Sequence, residues 1–257
     1  MNYFKKLFNL NNKKIFIIGG SGLIGSQVCE GLLELNGFVL NLDIKNNLKI
    51  KDNNYSFKYF NLNKISSLEK NIDKIIDKFG LPDVVINSAY PKTSDWSRNN
   101  FKNIKLKSFE KNLKIQLNSG CWTLKKFADK MKKNNIKGSI IQLSSIYGLV
   151  GQDLSIYHRT QIRENMTYSI IKGGFSNFVR QMASYYGKYG IKVNAVCAGG
   201  VKDQQQKVFI KNYSKKTPLG RLAEPKEIAS AIIFLSLDAS SYISGSNLVV
   251  DGGWTSI

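Results

Sequence analysis

The stretch KIFIIGGSGLIGSQVCEGLLELNG, Lys14 to Gly37, decides the fold. It opens with a short, continuous apolar run, KIFIIG (14–19), of the kind carried by a strand buried on both faces. Gly19, Gly22 and Gly25 follow at three-residue spacing, and the amphipathic SQVCEGLLELNG then reads as a helix. Glycines at such a turn let the chain reverse tightly and bring backbone N–H groups close to a pyrophosphate, and the helix N-terminus adds its dipole. Glycines also mark ordinary turns. The position of these three, between the first strand and the first helix, is what points to a dinucleotide.

Outward from this unit the same alternation recurs. FVLNLD (38–43), YSFKYFNL (55–62), VVINSA (84–89), SIIQLSS (139–145), IKVNAVCA (191–198) and NLVVDGG (247–253) read as strands, separated by helical segments such as SSLEKNIDKIIDKFG. This order predicts an α/β protein with a mostly parallel sheet of about seven strands and helices on both faces. With no repeat, low-complexity tract or linker, residues 1–257 read as a single domain. Ligands of such sheets lie beyond the carboxyl ends of the strands. About eighteen residues past Gly25, Asp43 ends the second strand, where an acid accepts hydrogen bonds from the adenosine ribose and repels a 2′-phosphate. NAD is therefore expected over NADP, although a solvated turn aspartate with Lys45 nearby is the competing reading.

Composition narrows the function classes. A hydrophobic content of 42% with 11% aromatics belongs to a globular chain rather than a disordered one. The formal net charge of +20 raises nucleic acid or an anionic membrane as partners. The lysines are scattered among many Asn and Ile, so a compositional bias of the source accounts for the charge better. A positive field still favours anionic substrates such as phosphates or nucleotide sugars. Cys29, Cys121 and Cys197 form no C-x-x-C pair and there is one His, which argues for a reducing cytoplasm and against a disulfide framework or zinc site. No apolar run is long enough to cross a bilayer. The lysine-led start, broken at Gly19 without a small-residue cleavage site, reads as a buried strand rather than a secretory signal. The expectation is a cytoplasmic protein without nucleic-acid or membrane partners.

A second stretch, SSIYGLVGQDLSIYHRTQIRENMTYSIIKGG (144–174), carries the chemistry. Tyr168 and Lys172 are four apart on a predicted helix and share a face. A cation beside a phenol favours the phenolate and lowers its pKa. Ser145 ends the fifth strand, where its hydroxyl could reach the same oxygen. A Y-x-x-x-K pair alone is common by chance in so Lys- and Tyr-rich a chain. It becomes specific only with the upstream serine and the glycine turn.

With these residues in place the sequence resembles the short-chain dehydrogenase/reductase family over nearly its whole length. The resemblance is carried by Gly19-Gly20-Ser21-Gly22-Leu23-Ile24-Gly25, Asn87-Ser88-Ala89, Ser145 with Gly148, Tyr168 with Lys172, Asn194 to Gly199, and Asp251-Gly252-Gly253. It implies a doubly wound, Rossmann-type domain in which hydride passes between C4 of a nicotinamide and a substrate carbon, with no metal. Tyr168 would be the general acid/base, Lys172 would lower its pKa and hold the nicotinamide ribose, and Ser145 would orient the carbonyl or alcohol. Gly19, Ser21, Gly22, Leu23, Ile24, Gly25, Asp43, Asn87, Ser88, Ala89, Tyr168, Lys172, Gly199 and Val201 are the implied cofactor contacts. Asn118 lies near the family's helix asparagine, which supports a proton relay through water; counting back from the following helix puts Gln116 there instead. The resemblance also implies a homotetramer or homodimer. FSNFVRQMASYYG and NLVVDGGWTSI offer apolar side chains for that, or for the core of one subunit.

Several positions depart from the family pattern. Leu23 stands where its second glycine is commoner, which spaces the turn as in sugar-nucleotide epimerases. Tyr90 replaces a glycine after the fourth strand, Ala198-Gly199 replaces Pro-Gly, and Asp203 stands where a threonine often contacts the carboxamide. Twenty-two residues separate Ser145 from Tyr168, about ten more than usual. The extra length falls in QDLSIYHRTQIREN, and loops after strand ends tend to carry function. A substrate loop is therefore expected at about 150–166, with Tyr157, Arg159 and Arg163 turned to an anionic or polyol substrate; a solvated connector is the alternative. His158 reads as a surface or packing residue. GGVKDQQQKVFIKNYSKKTPLGRLAEPKEIA resembles the family's substrate lid, at about 200–222.

The S-S-I-Y-G start, the insertion and this lid are similar to oxidoreductases of bacterial surface-sugar and flagellin-modification pathways, hence to carbohydrate biosynthesis. The expected activity is NAD(P)-dependent hydride transfer at a hydroxyl or ketone of a sugar or sugar-derived small molecule. A 3-oxoacyl thioester reductase is the enzyme alternative. A non-catalytic dinucleotide sensor or nucleic-acid-binding protein is the alternative of another class.

Overall fold

The computed structural model describes residues 3–257. Seven strands among them form one parallel sheet: β1 Lys14–Ile18, β2 Phe38–Asp43, β3 Tyr55–Tyr59, β4 Val84–Asn87, β5 Gly138–Ser145, β6 Ile191–Ala198 and β7 Asn247–Val250. Their order is β3-β2-β1-β4-β5-β6-β7, so the chain builds outward from β1 and then crosses back to lay β4 on its other side. That reversal between β1 and β4 opens a crevice beyond the carboxyl ends of the two strands. The expected mostly parallel sheet is parallel at every pairing. The third strand stops at Tyr59 rather than at residue 62, because its partner β2 ends at Asp43, opposite Tyr59.

Eight α-helices accompany the sheet among the described residues: α1 Tyr3–Leu7, α2 Leu23–Glu34, α3 Leu68–Phe79, α4 Leu106–Asn112, α5 Ser119–Lys133, α6 Met166–Tyr186, α7 Lys207–Ser214 and α8 Pro225–Ser236. Successive β1 side chains point to opposite faces. Phe16 and Ile18 join a core with Leu124 and Phe127 of α5 and Val179 of α6, while Ile15 and Ile17 join a second with Val28 and Leu32 of α2 and Ile232 of α8. Each face of the sheet therefore needs apolar side chains, which is why β1 reads as an unbroken apolar run. Leu68, Ile72 and Ile75 give α3 its buried stripe at helical spacing. Pro225 sets the first turn of α8, where Glu224 and Glu227 form a capping box.

A third, smaller cluster lies off the sheet. Ile146, Ile156, Tyr157, Tyr213, Leu222 and Trp254 pack together, with Phe209 and Ile210 of α7 against them. The insertion after β5 thus rests on the segment after β6 through its apolar residues. Of the apolar side chains offered above for an interface, Phe175, Val179, Met182 and Tyr186 are buried within the subunit.

Candidate active site

The glycine turn is shaped by close approach. Gly19 has φ +82, and a Cβ there would lie 2.6 Å from Ala89 Cα. A Cβ on Gly25 would overlap the Gly19 carbonyl oxygen. Ser88 fastens the turn from the other side, its hydroxyl within 3.1 Å of Ile18 O and 3.0 Å of Gly19 O. Gly22, the N-cap of α2, brings no side-chain cap, so the first-turn N–H groups keep their capacity for an anion.

A cleft of about 730 Å³ runs from this turn along the strand ends. Gly19, Ser21, Gly22, Leu23, Ile24, Gly25 and Asp43 line one end, and Ser88, Ala89, Tyr168, Lys172, Gly199 and Val201 line the rest. Asp43 reaches back to the turn: one carboxylate oxygen accepts from Ser21 N at 3.0 Å and the other from Ile44 N at 2.6 Å. Backbone donors at a helix N-terminus, an acid at the end of β2 and a trough of this size suit a dinucleotide. Asn87 is the exception among the expected cofactor contacts. It is 2% exposed, outside the lining, and its amide donates to Gln142 Oε1 at 2.8 Å, so it ties β4 to β5. Asn61 and Leu62, just past β3, line the cleft without having been singled out from sequence. Their strand-end position was the available signal.

At the far end of the cleft stand three side chains from two elements. β5 delivers Ser145 at its last position. α6 is capped by Asn165, whose Oδ1 accepts from Tyr168 N at 2.9 Å, and one turn on places Lys172 beside Tyr168. Lys172 is 6% exposed; its Nζ donates to Leu143 O at 3.1 Å and sits 5.4 Å from the Tyr168 ring centre. Burial pushes the Lys172 pKa down to about 8. Burial also pushes the Tyr168 phenol up, while the Ser145 hydroxyl draws it back down. At neutral pH the pair is an ammonium beside a phenol.

Aromatic rings enclose Tyr168. Tyr90, Trp96 and Tyr147 meet its ring edge-on, with centroids 5.8, 6.4 and 6.4 Å away. Trp96 gave no sequence signal, since it lies well beyond β4, at the start of a short 3-10 turn, Trp96–Arg98. Tyr147 follows Ser145 so closely that its strand-end position could have marked it.

The remaining expected site residues lie elsewhere. Asn118 is exposed, at the end of a π-helical turn, Leu113–Asn118. Gln116 on the same turn is 4% exposed, and its Nε2 is buried without a partner. The helix therefore turns Gln116 inward and leaves Asn118, the first choice for the relay position, exposed to solvent. Tyr157 is buried, its ring 6.1 Å from Phe209 and its hydroxyl donating to Gln152 Oε1 at 2.8 Å, so it supports the loop rather than lining the cleft. Arg159 and Arg163 are exposed and outside the cleft lining, because the insertion packs through Ile156, Tyr157 and Ile162. In the segment after β6, Val201 bridges Ala223, and the Tyr213 hydroxyl accepts from Gly200 N at 2.6 Å.

A glycine turn at the switch point and a Tyr168–Lys172 pair lining one cleft, with Ser145 beside the tyrosine, are what a nicotinamide-dependent oxidoreductase needs. Known proteins agree. A family profile described as enoyl-(acyl carrier protein) reductase matches residues 44–255. The post-translational flagellin modification protein A of Campylobacter coli is 29% identical over 254 residues, 95% of this chain and 99% of that one. An L-rhamnose 1-dehydrogenase (NAD(P)(+)) of Azotobacter vinelandii is 30% identical over 195 residues, 74% and 71% of the two chains. The crystal structure of a short-chain dehydrogenase from Leptospira borgpetersenii with bound NAD+ superposes with a TM-score of 0.89 at 28% identity, covering 99% of this chain and 96% of that one. The chain belongs to the short-chain dehydrogenase/reductase family, NAD(P)-dependent enzymes acting on CH–OH or C=O groups. Among the described residues no helix is long and apolar enough to cross a membrane.

Proposed function

We propose that the protein is an NAD(H)-dependent oxidoreductase acting on a hydroxyl or ketone of a sugar or sugar-derived molecule. The observation that carries this reading is the enclosure of Tyr168, beside Ser145 and Lys172, at one end of a cleft whose other end is the glycine turn and Asp43. Gly19 to Gly25 would hold the pyrophosphate, Asp43 the adenosine ribose, and Lys172 the nicotinamide ribose. When bound there, the nicotinamide accepts or supplies the hydride. Tyr168 handles the proton of the substrate oxygen, and Ser145 orients that oxygen. Its raised pKa keeps Tyr168 as the phenol that donates in carbonyl reduction. Alcohol oxidation needs the phenolate, and so gains from higher pH. Gln116 is the proposed relay residue, since its buried amide nitrogen has no partner and is free to hold a water.

Asp43 at the ribose end supports NAD over NADP, as does the NAD+ bound to the Leptospira relative. The sugar reading draws support from the flagellin-modification and rhamnose relatives. Against a thioester reductase, the insertion and α7 fill the space beside the site with a packed cluster, where an acyl chain would need an open channel. The buried Lys172 beside Tyr168 opposes a non-catalytic sensor, for which a desolvated lysine would be cost without use. A cytoplasmic setting rests on three free cysteines. A homo-oligomer rests on apolar side chains left at the surface, such as Tyr185 of α6 and Val249 of β7.

The test is a screen of free, phosphorylated and nucleotide sugars with NAD+ and NADP+, followed by absorbance of the reduced cofactor. Tyr168→Phe should lower kcat on the best substrate about 10²–10⁴-fold while NADH still binds. Undiminished turnover by this variant would remove Tyr168 from the mechanism.

A further inference from the structure

The strand that leads to Asp43 carries a polar side chain where the core calls for an apolar one. Val39 and Asn41 are two apart on β2 and point to the same face, and Val39 packs there in the core shared with α2. Asn41 is fully buried. Its Oδ1 has no partner and lies against Gly20 of the turn, where a Cβ on the glycine would come within 2.5 Å of it. An amide left partly unpaired in a core costs free energy that leucine, with the same branched shape, would not.

The nitrogen of the same amide is fully engaged. Asn41 Nδ2 donates to Ser21 Oγ at 2.9 Å and to the Tyr55 hydroxyl at 3.0 Å. Each hydroxyl passes a bond on to the segment after β2. Ser21 Oγ donates to Lys45 O at 2.6 Å, and the Tyr55 hydroxyl donates to Asn46 Oδ1 at 3.0 Å. Ile44, Lys45 and Asn47 of that segment line the cleft beside Asp43. Among the described residues, 44–51 make no backbone–backbone hydrogen bond. Past the bonds that Asp43 gives the N–H groups of Ile44 and Lys45, the polar ties of the segment run through Ser21 and Tyr55. Both ties meet at Asn41.

We propose that Asn41 is a positioning residue for the adenosine half of the dinucleotide. It stands outside the cleft lining and acts through Ser21 and Tyr55. Through them it holds the glycine turn and the 44–47 segment as one wall before anything binds. A wall already in place spares the ligand the free energy of ordering it. The unpaired oxygen beside Gly20 is then the consequence of aiming the amide nitrogen at both hydroxyls. This inference rests on the reading above that places adenosine beside Asp43, and it does not depend on the substrate being a sugar.

The experiment is fluorescence titration of the full chain with NADH and with reduced nicotinamide mononucleotide, which lacks the adenosine half. Displacement of NADH by ADP-ribose, which keeps that half, completes the set. Asn41→Leu should weaken NADH and ADP-ribose about tenfold, the loss expected for one or two net hydrogen bonds. Affinity for the mononucleotide should stay within about twofold, because the nicotinamide end of the cleft is untouched; a general loosening of the fold would weaken both. Tyr55→Phe cuts only the branch to Asn46 and should weaken NADH about threefold. Tyr55 is half-buried on β3, so this variant carries the test where Asn41→Leu does not fold. The double variant should fall short of the product of about thirtyfold, because the two side chains share one chain of bonds. Unchanged NADH affinity in the single variants, the full product in the double variant, or an equal loss for the mononucleotide would overturn the proposal. Wild-type protein that binds neither NADH nor ADP-ribose would instead overturn the cofactor reading on which it rests.

Discussion

The two ends of the cleft are made of different material. The dinucleotide end is mostly backbone: Gly19 and Gly25 bring main chain against main chain, and Ser88 and Asp43 brace the turn by bonding its carbonyl and amide groups. The end around Tyr168 is side chain: two aromatic rings from the segment after β4, a third from just after β5, and a buried lysine. Backbone cradles bind a group common to many enzymes and tolerate little change. Side-chain walls can be exchanged ring by ring, and titration resides there. On the proposed function, the fixed half would serve the cofactor and the adjustable half the substrate.

The largest expected break in that comparison is electrostatic. Burial lowers the Lys172 pKa from 10.5 to about 8. Between those two values the unfolded chain binds more protons than the folded one, so stability rises with pH over that window. Below about pH 8, keeping the buried cation costs about 3 kcal/mol relative to a solvated lysine. Urea melts of wild type and Lys172→Met at stepped pH should show wild type gaining on the variant from about pH 8 to 10.5. The rise of Tyr168 acts at higher pH with the opposite sign, and it is present in both proteins. A flat difference curve would show that the lysine does not titrate as its burial requires.

The backbone half should respond through geometry instead. Gly25→Ala drives a methyl group into the Gly19 carbonyl, and the turn must open to admit it. Overpacking of this kind costs about 2 kcal/mol, which should weaken NADH binding roughly thirtyfold by fluorescence titration. The effect should not vary with pH, because no group at the turn changes charge with the substitution. Wild-type affinity in Gly25→Ala would mean that the cradle is not held by main-chain contact.

The same contrast governs what could be read in advance. The parallel sheet, the glycine turn and the Ser145–Tyr168–Lys172 group were legible because each depends on local spacing: a run of apolar residues, three glycines, an i,i+4 pair. Asn87 misled, because a strand-end amide can face the neighbouring strand as readily as the cleft, and the partner Gln142 lies far along the chain. Asn118 and Gln116 were separated only by the π-helical turn, which adds a residue and rotates the face. Arg159 and Arg163 drew attention by their charge, but Ile156 and Tyr157 decide which side of the insertion packs. Trp96 has no local signature at all; its place comes from the bond made by Asn165 across the fold.

The smallest of the expected effects tests the one side chain that the backbone half depends on for selectivity. Asp43 bonds Ser21 N and also presents its charge where an adenosine ribose would lie. Asp43→Asn keeps an oxygen acceptor for the turn and removes the charge, so the glycine turn should stay in place. A 2′-phosphate then meets no repulsion, and Lys45, which lines the same part of the cleft, becomes free to attract it. NADPH affinity should improve about tenfold, equivalent to about 1.4 kcal/mol, with NADH affinity little changed. High salt should shrink the gain, since both charges face solvent. If the preference between the two cofactors does not move, Asp43 serves the turn alone, and the selectivity of the backbone half must lie in its shape.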